Sequence, residues 1–446
     1  MFTSRRRSSA HRAVFSATVG LLLAGAAAVP AHADSVRDQQ WFLDAMKAEQ
    51  MWKTSTGQGI TVAVIDTGVN AGHPDLKGRV LPGKDMAPTQ PGDEHTDYEG
   101  HGTSMAGLIA GTGARAGGNG AHGLAPGARI LPVRLPRDES LSQAEANKVL
   151  ADKAFPAAIR YAADAGAKVI SISQASTANS DALTEAVKYA LDKGSLVFAG
   201  VGNEAEQGNP VEYPAATPGV VGVAAVGKNL KRTAESEFGS QVDMAAPGED
   251  MVAACGATTG LCRNHGTSDA TAISSASAAL IWAAHPTWTN NQVLRVMLNT
   301  IGAPVDGAKR TDAIGYGIVR PRVALTRPGD PGPAGRYPLP DFPVKASAPP
   351  SPSATAAGKG QGGATAAKDD NGSTALGVAI GAGVVALLGA VAAVVVARRR
   401  RQTGPAGYGS AASGQFPQPG PPYGAPPQGG PTSSYGQGPA DERRSF

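Results

Sequence analysis

Cysteine, aromatic residues and charge are all scarce in this chain of 446 residues: two cysteines, 5% aromatics and 17% charged side chains. Two cysteines cannot build a disulfide-dense scaffold, and two thiols alone do not make a zinc site. Basic residues are not in excess where a folded domain could use them. The formal charge of +4 comes from the flanks, and residues 34–397 hold 30 basic against 34 acidic groups. No basic face for a nucleic-acid partner is indicated.

The flanks themselves carry addresses. Residues 1–33 place Arg5, Arg6, Arg7 and Arg12 ahead of an apolar run (13–29) and the small-residue site Ala31-His32-Ala33. That order predicts a secretory signal removed after about Ala33. The paired arginines raise a twin-arginine route, but no strongly apolar residue follows them closely, which favours the general route. Residues 375–397 are 23 consecutive positions without a charge, followed at once by Arg398-Arg399-Arg400-Arg401. This predicts one transmembrane helix with its C-terminal end in the cytoplasm. The expected placement is therefore single-pass type I in the cell membrane, with the body of the chain outside.

Composition divides the rest. Residues 34–326 form the expected globular domain, 327–374 a Pro/Ala/Gly-rich linker, and 398–446 a basic stop with a low-complexity tail. Tyr408, Tyr423 and Tyr435 each precede a glycine in that tail, which reads as flexible or as a docking element for a cytoplasmic partner. Cys255 and Cys262 lie close together in the exported part. The oxidising setting favours a small-loop disulfide over two free thiols, and it would brace the approach to Ser268.

Within the domain, β-branched runs alternate with helical spacing. Strands are predicted at 60–65, 129–135, 168–173, 195–199 and 220–226, and helices at 40–54, 155–165, 181–191 and from 292. The alternation predicts an α/β fold, a parallel sheet covered by helices on both faces.

Three polar residues can meet at the carboxyl edge of such a sheet. Asp66 ends the first strand, His101 opens a glycine-flanked helix, and Ser268 stands where Gly266-Thr267 runs into a small-residue helix. A serine there lies beside unpaired backbone N–H groups, as an acyl-transfer nucleophile requires. Each residue alone has an ordinary reading as a strand end, a cap or a turn. Their order and spacing give them a joint meaning.

The segments VAVIDTGV (62–69), HPDLKG (73–78), HGTSMAGLIAG (101–111), GLAPGARILPVR (123–134), AGVGNE (199–204), VEYPA (211–215), GTS (266–268) and HPTWTNNQVLRVMLNT (285–300) resemble subtilisin-type serine proteases. They cover nearly all of 40–326 in the family's order. The resemblance implies Ser268 as nucleophile, His101 as base, Asp66 as its orienting acid and Asn203 as oxyanion donor. It also implies that Ser173, Gln174 and Ala175 flank an extended peptide substrate, with Gln174 near the specificity pocket. No cofactor is implied. Asp75 matches a calcium ligand of many relatives, but the Ala114–Gly120 loop lacks their ligand pattern, so no metal is assigned.

Three features depart from the pattern. Ser104, in Gly102-Thr103-Ser104-Met105-Ala106, copies the nucleophile motif, yet it is fixed on the histidine's own segment. Asp269 replaces an uncharged residue, and Ala272 a proline. Between the signal end and Trp41 there is no room for a folded pro-domain. The membrane-anchored layout resembles the mycosins of actinobacterial type VII secretion systems, which implies a protein substrate and partners in a secretion membrane complex. The rival expectation is a mainly structural component of such a complex, with weak or dispensable proteolysis.

Overall fold

A computed structural model of the chain describes residues 35–256 and 259–342. Two short helices, α1 (Trp41–Met46) and α2 (Ala48–Trp52), replace the single helix expected at 40–54. The break is Lys47, whose left-handed φ of 60° turns the chain between them. Buried Gln40 anchors this segment, donating to the carbonyls of His122 and Val252 at 2.8 and 2.9 Å.

Then follow β1 (Thr61–Asp66), a two-residue strand β2 (Lys84–Asp85), α3 (His101–Ala110) and β3 (Arg129–Arg134). Helix α4 (Gln143–Val149) lies where no element was predicted, and Ser142 and Glu145 form a reciprocal capping box at its start. After it come α5 (Phe155–Asp164), β4 (Val169–Ile172), α6 (Asp181–Asp192), β5 (Leu196–Gly200), β6 (Val221–Val226) and β7 (Met244–Pro247). A hairpin of β8 (Met251–Ala254) and β9 (Leu261–Asn264) leads into α7 (Thr267–Ala284), followed by α8 (Asn290–Asn299) and α9 (Pro321–Thr326).

Seven strands make one parallel sheet in the order β2-β3-β1-β4-β5-β6-β7. The inner strands are buried on both faces, which is why they read as unbroken Val/Ile/Ala runs without polar alternation. At the edge, fully buried Arg134 holds β2 by a forked pair to Asp85, at 3.0 and 2.9 Å. Helix α7 is buried from Asp269 through Trp282, and its Ala/Ser composition lets it lie close against β4–β7. Helices α5 and α6 pack together as a separate layer over β1, β4 and β5, each with one apolar face.

The chain runs from β1 outward to β3, then returns to place β4 on the other side of β1. That reversal opens a crevice at the carboxyl ends of β1 and β4, the usual position of a ligand site in an open α/β sheet.

The described domain extends past the expected boundary at 326. Residues 327–342, expected as unpacked linker, run back over the domain: Tyr337 and Leu339 are buried, and the Tyr337 hydroxyl donates to the Gly219 carbonyl at 2.7 Å. Two apolar side chains among the prolines are enough to fix the segment. Among the described residues no helix is long and apolar enough to cross a membrane. Residues 1–33 and 375–397, where the signal and the span are expected, lie outside the described residues.

Candidate active site

Asp66 closes β1 at the crevice and is fully buried. Its Oδ1 accepts from the Thr67 N–H at 2.7 Å and lies 2.8 Å from Nδ1 of His101. The imidazole reaches it because α3 starts almost on top of the β1 exit: a Cβ at Gly102 would stand 2.1 Å from the Gly68 carbonyl oxygen. Only glycine permits that approach.

Asp97 locks the junction. Its carboxylate accepts from the N–H groups of Gly100 at 2.8 Å and Thr103 at 2.7 Å, and from the Thr67 hydroxyl at 2.7 Å. It thus caps the helix that begins at His101 and ties it to the turn after Asp66. Sequence reasoning missed Asp97, because nothing local marks it as a cap for a helix several residues further on.

Burial disfavours the charged form of His101, but the Asp66 charge and hydrogen bond, with Asp269 and Asp97, outweigh it and push the imidazole up to about 9. The contact favours the protonated imidazole and places its Nδ1–H on Asp66.

Ser268 is the second residue of the 18-residue α7 and is partly exposed. Its hydroxyl donates to the Ser173 carbonyl at 3.3 Å, and the Ser173 hydroxyl donates to the Ser268 carbonyl at 3.4 Å. The helix start and the end of β4 are thereby in contact. Asn203 follows β5, and its Oδ1 accepts from the Thr267 N–H at 2.9 Å, which leaves Nδ2 as the donor of that side chain. Asp66 and His101 thus meet at the end of β1, and Ser268 and Ser173 meet where the start of α7 touches the end of β4, with Asn203 bonded to the residue before Ser268. Gln174, expected beside a specificity pocket, sends its amide towards Asp66 Oδ1 at 3.5 Å. Ala175 precedes Ser176, whose backbone pairs with Tyr213.

Ser104 is buried on α3 and its hydroxyl accepts a hydrogen bond from the Asn264 side chain. Burial pushes the buried carboxyl of Asp269 up to about 7, against the lowering pull of His101 and Asn264. Ala272 is buried in the helix.

Cys255 and Cys262 are joined by a disulfide that straps the β8–β9 hairpin leading to Gly266. Asp75 spends its carboxylate on the main chain, accepting from the N–H groups of Arg115 at 2.7 Å and Ala121 at 3.0 Å. Among the described residues no group of three or more His, Cys, Asp or Glu could hold a metal ion.

Polar side chains from several strand ends, gathered at the carboxyl edge of a covered parallel sheet, give the layout of an α/β hydrolytic enzyme. Residues 57–318 match the Subtilase family, Peptidase S8, and the chain belongs to this family of subtilisin-like serine endopeptidases. Thermitase of Thermoactinomyces vulgaris is 40% identical over 207 residues, 46% of this chain and 68% of its own. Fervidolysin of Fervidobacterium pennivorans is 35% identical, and the match spans 31% of its length. Among solved structures, the MycP3 protease from the type VII (ESX-3) secretion system superposes with a TM-score of 0.56 at 32% identity, over 64% of this chain and 88% of that one.

Proposed function

We propose that the chain is a membrane-anchored, outward-facing serine endopeptidase associated with type VII secretion. The observation that carries the catalytic part is the 2.8 Å contact between Asp66 and His101 at the crevice where Ser268 heads α7. Ser268 attacks the carbonyl carbon of a peptide bond, and neutral His101 takes the hydroxyl proton as the bond forms. Asp66 keeps Nδ1 protonated and stabilises the imidazolium that results. The oxygen of the tetrahedral intermediate collects negative charge against Asn203 Nδ2 and the Ser268 N–H. One such donor is worth about 3 kcal/mol of barrier, a figure that comes from subtilisin, a relative, rather than from this chain. His101 then returns the proton to the leaving amine, and water releases the acyl group by the same steps in reverse.

Anchoring and orientation rest on the residue patterns at 1–33 and 375–401. The secretion link rests on likeness to MycP3 and to a chain of the periplasmic assembly from the ESX-5 inner membrane complex, with 27% identity and a TM-score of 0.58. The second likeness also favours a structural role within a secretion complex alongside catalysis.

Labelling the full-length chain with a fluorophosphonate and mapping the modified residue tests the catalytic reading. Label on Ser268, lost in Ser268→Ala and kept in Ser104→Ala, is expected. Label on Ser104, or full peptidase activity in Ser268→Ala, would overturn it. Normal secretion supported by Ser268→Ala, with secretion abolished by deletion, would make the structural role dominant.

A further inference from the structure

Basic and acidic side chains are segregated to opposite edges of the sheet. At the amino edge, the Ile130 N–H donates to the Arg79 carbonyl at 2.9 Å, Arg129 opens β3 in register with Thr61, and the Lys168 N–H donates to the Thr61 carbonyl at 3.0 Å. Arg79, Arg129 and Lys168 thus lie in one row across neighbouring strands, which stand about 5 Å apart. Arg129 and Lys168 are exposed and Arg79 is half-buried, and none of the three has an ion pair among the described residues. Arg79 and Arg129 line one cleft with Thr56, Gln58 and Thr61, and no carboxylate lines it. Lys168 shares a second cleft with Lys193 and Trp288, where the acids are already matched: Asp164 pairs with Lys193 at 3.4 Å, and Asp192 with Lys188. The opposite edge, where the crevice opens, carries Asp93 and Glu99 after β2, Asp138 and Glu139 after β3, and Glu204 and Glu206 after β5. Arg137 pairs with Glu99 and Glu139, and the other four have no cation among the described residues. The domain is therefore polarised along its strands, positive at the amino edge and negative around the crevice.

The chain leaves the described domain on the basic edge. Phe342, the last described residue, stands against Gly219 just ahead of β6: a Cβ at Gly219 would be 2.8 Å from the Phe342 ring. Tyr337 and Asp341 hold the same glycine, through its carbonyl at 2.7 Å and its N–H at 3.1 Å. Residues 343–374 separate this point from the span expected at 375–397. A segment of that length reaches at most about 110 Å, so an anchored domain cannot move further than this from the bilayer. Tethering of this kind gives a surface contact a high effective concentration, and a contact made of a few charges is then enough.

We propose that the basic amino edge of the sheet, with Arg79, Arg129 and Lys168, docks on the anionic headgroups of the bilayer that anchors the chain, and so turns the crevice of Ser268 away from the membrane. The proposal rests on the membrane-anchored reading and is independent of the chemistry at Ser268. Arg79 and Arg129 bring two forked sets of donors to one cleft, the donor type that suits the oxygens of a lipid phosphate. Lys168 adds a compact charge, and the half-buried Trp288 beside it is of the side-chain type that settles at headgroup level. The same surface repels the acids around the crevice, so attraction at one edge and repulsion at the other select one orientation. The crevice mouth is then held a domain's height above the bilayer and stays open to substrates outside it.

The test places the full-length chain in nanodiscs of phosphatidylcholine, with or without phosphatidylglycerol, whose headgroups carry a fluorescence quencher. Both native cysteines are in the disulfide, so one added cysteine takes the dye: Gln58→Cys on the basic edge or Gln207→Cys on the crevice edge, both exposed positions. Quenching at position 58 should be stronger by about twofold or more with phosphatidylglycerol, and should fall to the phosphatidylcholine level in high salt, which screens exposed charges. The dye at position 207 should stay unquenched in both lipids. Arg79→Glu combined with Arg129→Glu should abolish the phosphatidylglycerol effect while the chain still co-migrates with the discs, and the salt arm tests the same contact without any substitution. Quenching at position 58 that is equal in the two lipids, or that survives both salt and the double substitution, in a chain that co-migrates with the discs, overturns this inference alone. Stronger quenching at 207 than at 58 overturns it by reversing the orientation. A chain absent from both kinds of disc overturns it together with the anchored reading. A dye at position 58 that is shielded from aqueous iodide in native membranes but not in phosphatidylglycerol discs would assign the edge to an acidic protein partner and overturn the lipid.

Discussion

The side chain of Asn264 donates to the hydroxyl of Ser104, joining the last residue of β9 to the helix that begins at His101. The Asn264 side chain also lowers the pKa of Asp269, one residue past Ser268, against the upward push of burial. Asn264 therefore acts on both the helix of the histidine and the helix of the serine. Asn264→Ala should disturb their relative placement more than it disturbs substrate contacts. The expected result is a fall in kcat of about tenfold with KM little changed, in line with the cost of sub-ångström misplacement. A fall confined to KM would remove Asn264 from this role.

Asp269 bears on the pH profile. With His101 held up to about 9, the neutral imidazole that accepts the Ser268 proton forms only on the alkaline side, so kcat/KM should climb with pH towards and beyond that value. Asp269 is one of the charges that hold His101 up. Asp269→Asn removes a negative charge and should move the midpoint of the rising limb to lower pH, which raises relative activity at pH 7. An unmoved midpoint would show that Asp269 is electrostatically silent at His101.

The strands, and the places of Asp66, His101 and Ser268 at the ends of elements, were legible because their causes are local. A strand buried on both faces must be continuously apolar, and Asp66, His101 and Ser268 stand at the ends of such elements. What escaped depends on distant partners. Glu237 looks like a surface residue until Gly202 is seen against it, and Asn264 is an ordinary strand end until Ser104 lies under it. Strand β2 has two residues and no periodicity to detect. The capping box of α4 was present in Ser142 and Glu145, yet the weak apolar pattern after it masked the helix.

Stability should be greatest at mildly acidic pH. Half-buried Asp243 is pushed up to about 8 by desolvation, joining Glu237 at about 8 and Glu212 and Asp269 at about 7. Each acid binds its proton more tightly folded than unfolded. Its contribution is fully present below the ordinary carboxylate value and is lost as pH rises through the folded value. His101, also raised, adds stability below its ordinary value that is lost as pH rises through about 9. All five act in the same direction, so the melting temperature of the domain should fall between pH 5 and pH 9. A melting temperature that rises over this window would contradict these environments.

The segment after α9 should be part of the folding unit. Tyr337 is buried, its hydroxyl donates to Gly219, and its ring meets Phe342 edge-on at 5.3 Å between centroids. Leu339 is buried with it, and Asp341 accepts from the Gly219 N–H at 3.1 Å. Arg295 on α8 adds a hydrogen bond to the Pro331 carbonyl at 2.7 Å. Tyr337→Ala removes a buried ring and should destabilise the domain by about 3–5 kcal/mol. Tyr337→Phe leaves the ring and unpairs the Gly219 carbonyl, at about 1–3 kcal/mol. A chain ended at 326 should be less stable than one ended at 342 by at least as much as Tyr337→Ala, measured by urea denaturation. Equal midpoints for the two truncations would return residues 327–342 to the linker.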